Sequence, residues 1–237
     1  MARSNADHLA ARIRLAEDYP YHRPPVPYLF DDGVVRPLEE PWREARMPVI
    51  AFGSNAAPIR LATKFAGMGA RIAVTPARLR HYAVVYSAHF SSYGSLPATL
   101  DACPGATTRL CLTWLTEPQL LHMHRTEGTG ERYDYVELSG LDLVVERGGQ
   151  VRRAGAYLSR RGALALGGRP VRLAEVPTEN CPFEACSQPA MLRRVHRLLA
   201  PQDSYATFMT RIIDADDYRR QATLRLVGTS VPVETSG

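Results

Sequence analysis

Several features are scarce in this sequence of 237 residues, and each scarcity excludes a class of protein. No stretch approaches the ~18 consecutive apolar residues of a membrane-spanning helix, so we expect no membrane partner. The four cysteines are too few and too scattered for a disulfide scaffold. Hydrophobic residues make up 45% of the chain and charged residues 22%, which is typical of a globular protein and excludes bulk disorder.

Lysine is almost absent from the chain. Lys64 is the single example, so the other 28 of the 29 basic residues are arginine. The formal net charge of +5 would suit a nucleic-acid partner, but no basic run is interleaved with aromatic residues as a base-stacking surface requires. We therefore predict an arginine-rich solvated surface and no nucleic-acid partner. Charges throughout the first residues leave no apolar signal core, so we expect a cytoplasmic protein.

Composition and periodicity divide the chain into four segments. They are an N-terminal proline-rich extension expected to wrap the core (1–46), a main domain (47–185), a helical C-terminal extension (186–228) and a tail (229–237). The middle is rich in strand-like stretches, the end has helical periodicity, and strands do not alternate regularly with helices. This pattern predicts an α+β fold.

Strand-like stretches cover residues 48–52, 82–86, 110–115, 133–138, 141–145 and 151–158. Gly148 and Gly149 separate the last two, which predicts a hairpin there. A short polar turn follows the first stretch, where Gly53, Ser54 and Asn55 precede a helix expected to begin near Pro58. Backbone N–H groups in such a turn can hold a carboxylate or phosphate. The same residues also suit a plain strand-to-helix turn, so both interpretations stay open.

A further helix is predicted to end at a glutamate. Thr116 and Gln119 have the spacing of a capping box, which begins a helix, and Gly128 is positioned to end it. Glu127 then lies at the helix end, where its side chain can project into a cleft. In a partly apolar cleft, desolvation would raise the pKa of this carboxyl group and suit it to proton transfer near neutral pH. A solvent-facing helical glutamate is the alternative.

Histidine spacing argues against a metal centre. His122 and His124 are two residues apart in the predicted helix, so they point in different directions and cannot share an ion. Glu127 adds one ligand at most, and we predict no metal. The candidates for binding a substrate carboxylate, which spacing does not rank, are Arg60, Arg78, Arg80 and Arg132.

In their order along the chain, these elements resemble the γ-glutamylcyclotransferase superfamily. Its signature is a first strand that ends in Tyr-Gly-Ser-Asn, matched here by Phe52-Gly53-Ser54-Asn55 with phenylalanine in place of tyrosine. Residues 94–100 resemble the second block of the family, and Glu127 and Tyr133 follow in the family's order. The resemblance covers about residues 47–176.

The resemblance implies both a fold and a reaction. The fold would be a small mixed β-barrel flanked by helices, with a cavity at the end of the first strand. The reaction would close the γ-glutamyl group of an amide into 5-oxoproline and release an amino acid or an amine. Glu127 would serve as general acid and base. The substrate-binding residues would be Phe52, Gly53, Ser54, Asn55 and Tyr133.

Because the attack takes place within one molecule, such a reaction needs no enzyme nucleophile and no cofactor. The expected partner is a small-molecule substrate with a γ-glutamyl group, and a homodimer built through the extensions also fits. Two other functions fit the same residues. One is a non-catalytic module that binds a small molecule or an interaction partner, and the other is a different carboxylate-handling reaction in the same cavity.

Overall fold

The computed structural model describes residues 2–39 and 41–235. Residues 1 and 40 of the predicted N-terminal extension and residues 236 and 237 of the predicted tail lie outside the described residues. The helices are α1 (Ala2–Glu17), α2 (Pro58–Lys64), α3 (Glu117–Glu127), α4 (Gln188–Leu199), α5 (Tyr205–Asp214) and α6 (Asp216–Val227), with a 3-10 turn at Ser54–Ala56. The strands are β1 (Tyr28–Asp31), β2 (Val34–Pro37), β3 (Met47–Ala51), β4 (Arg71–Tyr86), β5 (Ala98–Leu115), β6 (Tyr133–Val145), β7 (Gly149–Ser159), β8 (Ala163–Leu166), β9 (Arg169–Pro170), β10 (Arg172–Leu173), β11 (Thr178–Glu179), β12 (Ala185–Cys186) and β13 (Ser230–Val231).

Five of these strands close into a barrel. β5 pairs with β3, β3 with β7, β7 with β6, and β6 with β4, which returns to pair with β5. β3 and β7 run parallel, whereas the other four pairs are antiparallel, so the barrel is mixed. Closure pairs the backbone groups that an open sheet leaves free at its edges. The predicted α+β fold, a mixed barrel flanked by helices, is confirmed.

Side chains of β3 alternate between two hydrophobic clusters, as the two-residue period of a strand requires. Ile50 belongs to a cluster that extends to Phe208 of the C-terminal helices. Val49 belongs to a second cluster, which includes Leu61 of α2 and Met123 of α3. α2 and α3 therefore pack together against the side of β3 that carries Val49. This packing brings the C-terminal ends of the two helices together and positions the site described below.

The N-terminal and C-terminal segments both pack onto the barrel. β1 pairs with β4 and carries the hairpin partner β2, while α1 contacts α4 and α5. β13, from the predicted tail, pairs with β8. The division into a main domain and extensions stays a prediction. No helix within residues 2–39 and 41–235 is both long and apolar enough to cross a membrane.

Two strands are much longer than the sequence pattern indicated. The predicted stretches 82–86 and 110–115 are the final parts of β4 and β5, which extend over 16 and 18 residues. Pro76 and Pro104 lie inside these strands and interrupt the pattern that sequence reasoning uses, since proline cannot donate to a ladder. The hairpin at Gly148 and Gly149 is confirmed between β6 and β7.

Candidate functional site

A cavity of about 260 Å³ opens where the end of β3, the loop after it, the end of α3 and the start of β6 meet. The predicted general base and the five residues that the resemblance implies for substrate binding all line it: Glu127, Phe52, Gly53, Ser54, Asn55 and Tyr133. The barrel thus brings together residues that are up to 81 positions apart in the chain (52 to 133). Their roles in binding and catalysis stay predictions.

Glu127 is the last residue of α3 and reaches the cavity because the helix stops there. The Gln119 side chain accepts a hydrogen bond from the Thr116 N–H at 3.0 Å, which completes the start of the helix. Gly128 follows with φ of +65°, a left-handed conformation that favours glycine and turns the chain away. The Glu127 side chain is 13% exposed. A nearly buried carboxylate therefore lies at the cavity wall.

The Glu127 carboxylate has two close partners. Asn55 donates a hydrogen bond from Nδ2 to Oε1 at 2.9 Å, and Lys64 donates from Nζ to the same oxygen. Lys64 also donates to Asn55 Oδ1 at 2.7 Å, so the three side chains form a closed triangle. Oε2 accepts no hydrogen bond from the described residues, and it is the oxygen available to a ligand in the cavity.

These partners overturn the expected direction of the Glu127 pKa. Burial by itself raises the pKa of the carboxyl group, which is the direction expected from the sequence. The Lys64 charge and the hydrogen bonds from Lys64 and Asn55 lower it, and the net pKa lies below the ordinary value of a glutamate. The prediction of a raised pKa is therefore wrong, because the counter-ion comes from a helix that the local sequence around Glu127 does not reveal.

Gly53 is required by a close approach and not by an unusual backbone angle. A Cβ atom at this position would collide with the hydroxyl oxygen of Tyr19. That oxygen is held in place because it accepts a hydrogen bond from the Ala98 N–H at 2.9 Å. Burial raises the pKa of Tyr19, so the phenol stays protonated. The N-terminal segment thus adds a hydroxyl group to a cavity in which Phe52 supplies only an apolar wall.

Two further rings that line the cavity, those of Tyr133 and His89, stay uncharged at neutral pH. Tyr133 donates a hydrogen bond to the Ala98 carbonyl at 3.4 Å, and its burial raises the pKa of the hydroxyl. His89 packs against the Tyr133 ring with 5.5 Å between centroids, and its Nδ1 lies 2.7 Å from Ser87 Oγ. Burial, with the nearby charges of Arg132 and Arg161, lowers the pKa of His89 to about 3.

The structure separates the four candidate arginines. Arg60 and Arg132 line the cavity. Arg78 lies in a different cleft, and Arg80 is ion-paired with Asp142 at 3.1 Å. Two of the four candidates therefore lie at the site: Arg60 on α2 and Arg132 in the turn before β6.

The two histidines of α3 have partners of their own. His122 Nε2 lies 2.6 Å from the Lys64 carbonyl oxygen, and His124 Nδ1 lies 2.9 Å from the Tyr157 hydroxyl. In the part of the chain that the structure describes, no group of three or more histidine, cysteine, aspartate and glutamate side chains is arranged to hold a metal ion.

Sequence reasoning missed Lys64, Tyr19 and His89 as members of the site. One signal was present for Lys64: it is the only lysine in a chain that otherwise uses arginine. The ammonium group is a compact point charge with three rotatable donors, and here it donates to Glu127 and Asn55 together. No comparable signal marks Tyr19 or His89.

No family model and no curated protein matches this chain. Solved structures are similar in fold, among them a gamma-glutamyl cyclotransferase, with 13% identity over 81% of this chain and 92% of its own and a TM-score of 0.39. An uncharacterized human protein has 13% identity over 82% and 93%, with a TM-score of 0.40. A protein from Arabidopsis thaliana, solved in solution, has 16% identity over 49% and 70%, with a TM-score of 0.38. These values are low, so the function proposed below rests on the residues of the cavity.

Proposed function

We propose that this protein is a γ-glutamylcyclotransferase-like enzyme. It would cyclise a γ-glutamyl amide to 5-oxoproline and release an amino acid or an amine, with Glu127 as general base and acid. The observation that carries the proposal is the state of the Glu127 carboxylate: one oxygen is held by Lys64 and Asn55, and the other is available to the cavity. The family signature at Phe52–Asn55 supports the same reaction.

The α-ammonium group of the substrate would bind the ionised Glu127. Transfer of one proton to the carboxylate leaves a neutral amine, whose nitrogen attacks the γ-carbonyl carbon of the same molecule. A C–N bond closes the five-membered ring, and the bond from the γ-carbon to the leaving nitrogen breaks. Two of the three ammonium protons move to the leaving nitrogen, and Glu127 relays them in turn.

This chemistry suits a site without an enzyme nucleophile. Because both reacting groups belong to one molecule, their effective concentration is already high. The enzyme has to orient the chain, exclude water and move protons. Asn55 and Lys64 fix the position of the Glu127 carboxylate, so the proton acceptor is oriented before the substrate binds.

The test is detection of 5-oxoproline by mass spectrometry with a panel of γ-glutamyl amino acids, γ-glutamylamines and glutathione. We expect wild type to form product and Glu127→Gln to lose about 10²–10⁴-fold in kcat/KM, the usual contribution of a general base. Glu117→Gln makes the same change on an exposed position of the same helix and should retain activity. Near-wild-type turnover by Glu127→Gln would show that the base is wrongly assigned.

A second candidate function is a module that binds a small carboxylate without turnover. The Lys64–Glu127 ion pair favours it, because a lowered pKa makes Glu127 a weaker base. The same panel separates the two functions: saturable binding measured by calorimetry, with no 5-oxoproline from any compound, would support the module and reject the enzyme. A different carboxylate-handling reaction would appear as loss of ligand without formation of 5-oxoproline.

A further inference from the structure

Arg60 reaches the cavity from the same face of α2 as Lys64. The two residues are four positions apart, and residues at this spacing lie next to each other on a helix surface, about 5–6 Å between Cβ atoms. Both line the cavity. A ligand that meets Glu127 at the Lys64 end therefore has Arg60 one helical turn away.

Arg60 lacks the partners that the other cavity cations have. Lys64 is paired with Glu127, and Arg132 donates from Nε to the Glu127 carbonyl and from Nη2 to the Thr126 carbonyl, both at 3.3 Å. Within residues 2–39 and 41–235, Arg60 makes no ion pair, and its buried Nε has no hydrogen-bond partner. A buried donor on a charged group is costly to leave unpaired. Because Arg60 lines the cavity, a ligand carboxylate bound there would compensate the charge of this guanidinium.

Two aromatic rings hold the Arg60 guanidinium in place. Its central carbon lies 4.7 Å from the centroid of the Tyr93 ring and 5.9 Å from that of Tyr21. Tyr21 has φ of +70°, a left-handed backbone conformation that is strained for a bulky residue, and its N–H donates to the Asp18 carbonyl at 2.7 Å. Ring contacts orient a guanidinium without neutralising its charge. The side chain is thus positioned while its N–H donors remain for a ligand.

The charge balance of the cavity points in the same direction. Arg60, Lys64 and Arg132 contribute three positive charges, and Glu127 is the one acidic residue among the described residues that line the cavity. His89 adds no charge at neutral pH, because burial and nearby arginines keep its pKa at about 3. A γ-glutamylamine has one ammonium and one carboxylate and is neutral overall. A γ-glutamyl amino acid has a second carboxylate and compensates the excess positive charge better.

We propose that Arg60, held by Tyr21 and Tyr93, binds a carboxylate on the leaving amine, so that the preferred substrates are γ-glutamyl amino acids and not γ-glutamylamines. This inference rests on the proposed function. In such a substrate the carboxylate is attached to the same carbon as the amide nitrogen. We place this carboxylate at Arg60, one helical turn along α2 from Lys64, while the α-ammonium group is at Glu127. The planar guanidinium can bind it through two parallel hydrogen bonds.

Two substrates that differ only in this group provide the test. γ-Glutamylalanine and γ-glutamylethylamine have the same γ-glutamyl part, and the second lacks only the carboxylate of the leaving group. We expect wild type to prefer γ-glutamylalanine by about 10–100-fold in kcat/KM, as a charge-assisted hydrogen bond allows. Arg60→Gln should bring the ratio of the two kcat/KM values close to one, mainly through KM. Arg152→Gln, at an exposed position on β7, should leave the ratio unchanged.

Arg60→Lys is a second variant, which keeps the test valid if Arg60→Gln does not fold. It keeps the positive charge and loses the two-pronged geometry, so it should keep a weakened preference for γ-glutamylalanine. A wild-type ratio close to one, or an unchanged ratio in Arg60→Gln, would overturn the proposal.

Failure of the proposed function is a distinct outcome. If neither compound yields 5-oxoproline, the enzyme proposal fails, and calorimetry with the same two compounds tests the Arg60 subsite by itself. Tighter binding of γ-glutamylalanine that is lost in Arg60→Gln would support the subsite. Equal affinities for both compounds, or no binding of either, would overturn it.

Discussion

Arg60 and Lys64 lie one turn apart on the same face of α2. The charge of Lys64 is paired with a carboxylate, whereas the charge of Arg60 has no acidic partner among the described residues. The Lys64 side chain is 9% exposed and paired with Glu127 and Asn55. Arg60 contacts the rings of Tyr21 and Tyr93, and no acidic side chain among the described residues pairs with it. One short helix of seven residues thus presents a neutralised and an unneutralised cation to the same cavity.

The difference shows two ways in which a cation that lines a cavity can serve a site. A paired cation sets the ionisation of a group that the protein already has, and Lys64 keeps Glu127 charged in spite of its burial. An unpaired cation leaves a charge for a ligand to compensate. Lysine suits the first task as a compact point charge, and arginine suits the second because its planar fork matches a carboxylate.

Removal of the paired charge is expected to have the largest effect. Lys64→Met leaves Glu127 buried without its cation, and the loss of one partner of a buried pair costs about 3–5 kcal/mol. We expect the free energy of unfolding in urea at neutral pH to fall by about that amount. Glu127→Gln in the same chain should restore part of the loss, because a neutral amide needs no counter-ion.

Arg160→Met is the matched control for Lys64→Met, since it removes a cation from an exposed pair with Asp134. Surface pairs contribute about 0–1 kcal/mol, so the control should lose no more than that. Equal losses in the two variants, or no recovery in the double variant, would contradict the role of Lys64 as counter-ion.

The second-largest effect is expected in the pH dependence of kcat/KM, which should change when Lys64 is replaced and stay the same when Arg60 is replaced. Because the pKa of Glu127 is lowered, the base stays ionised as the pH falls, and the acid limb of wild type should lie below pH 4.5, the ordinary pKa of a glutamate. Without Lys64, burial dominates and raises the pKa of Glu127, so the limb of Lys64→Met should move above that pH. Arg60→Gln should leave the limb in place. A limb that does not move in Lys64→Met would show that Glu127 is not the group that titrates.

Loss of one aromatic contact should have the smallest effect. Tyr93→Leu removes the ring nearest the Arg60 guanidinium, and a cation–π contact contributes about 0.5–1 kcal/mol at a partly exposed site. We expect KM for γ-glutamylalanine to rise about two- to fivefold, which corresponds to that energy, with no movement of the acid limb. Tyr93→Phe keeps the ring and should behave like wild type; a shift of the acid limb in Tyr93→Leu would instead link Tyr93 to Glu127.

Local features of the fold were predictable because their causes are local. The capping box at Thr116 and the left-handed glycine Gly128 delimit α3 as predicted, since each acts within one turn of the chain. The apolar stripes of the C-terminal segment likewise predicted helices there, and α4, α5 and α6 are present. The first two thirds of β4 and of β5 were missed, because Pro76 and Pro104 break the strand pattern in the sequence. These parts of the two strands are held by pairing with each other and with neighbouring strands.

The candidate site was predictable where a family motif names its residues, and not beyond it. Phe52–Asn55, Glu127 and Tyr133 do line one cavity. Lys64 and Tyr19 were missed because the local sequence around Glu127 and Gly53 does not indicate which distant residues contact them. Their contacts span 63 positions in one case and 34 in the other (127 − 64 and 53 − 19).

The sequence by itself determined the class of the fold, the position of Glu127 at the end of a helix and the polar turn after β3, since each follows from spacing over a few residues. Only the tertiary structure decided the charge state of the cavity. Closure of the barrel packs α2 beside α3, and this puts Lys64 on Glu127 and leaves Arg60 without an acidic partner among the described residues. The pKa of a buried group depends on which charges lie within a few ångströms of it, and long-range packing sets those neighbours.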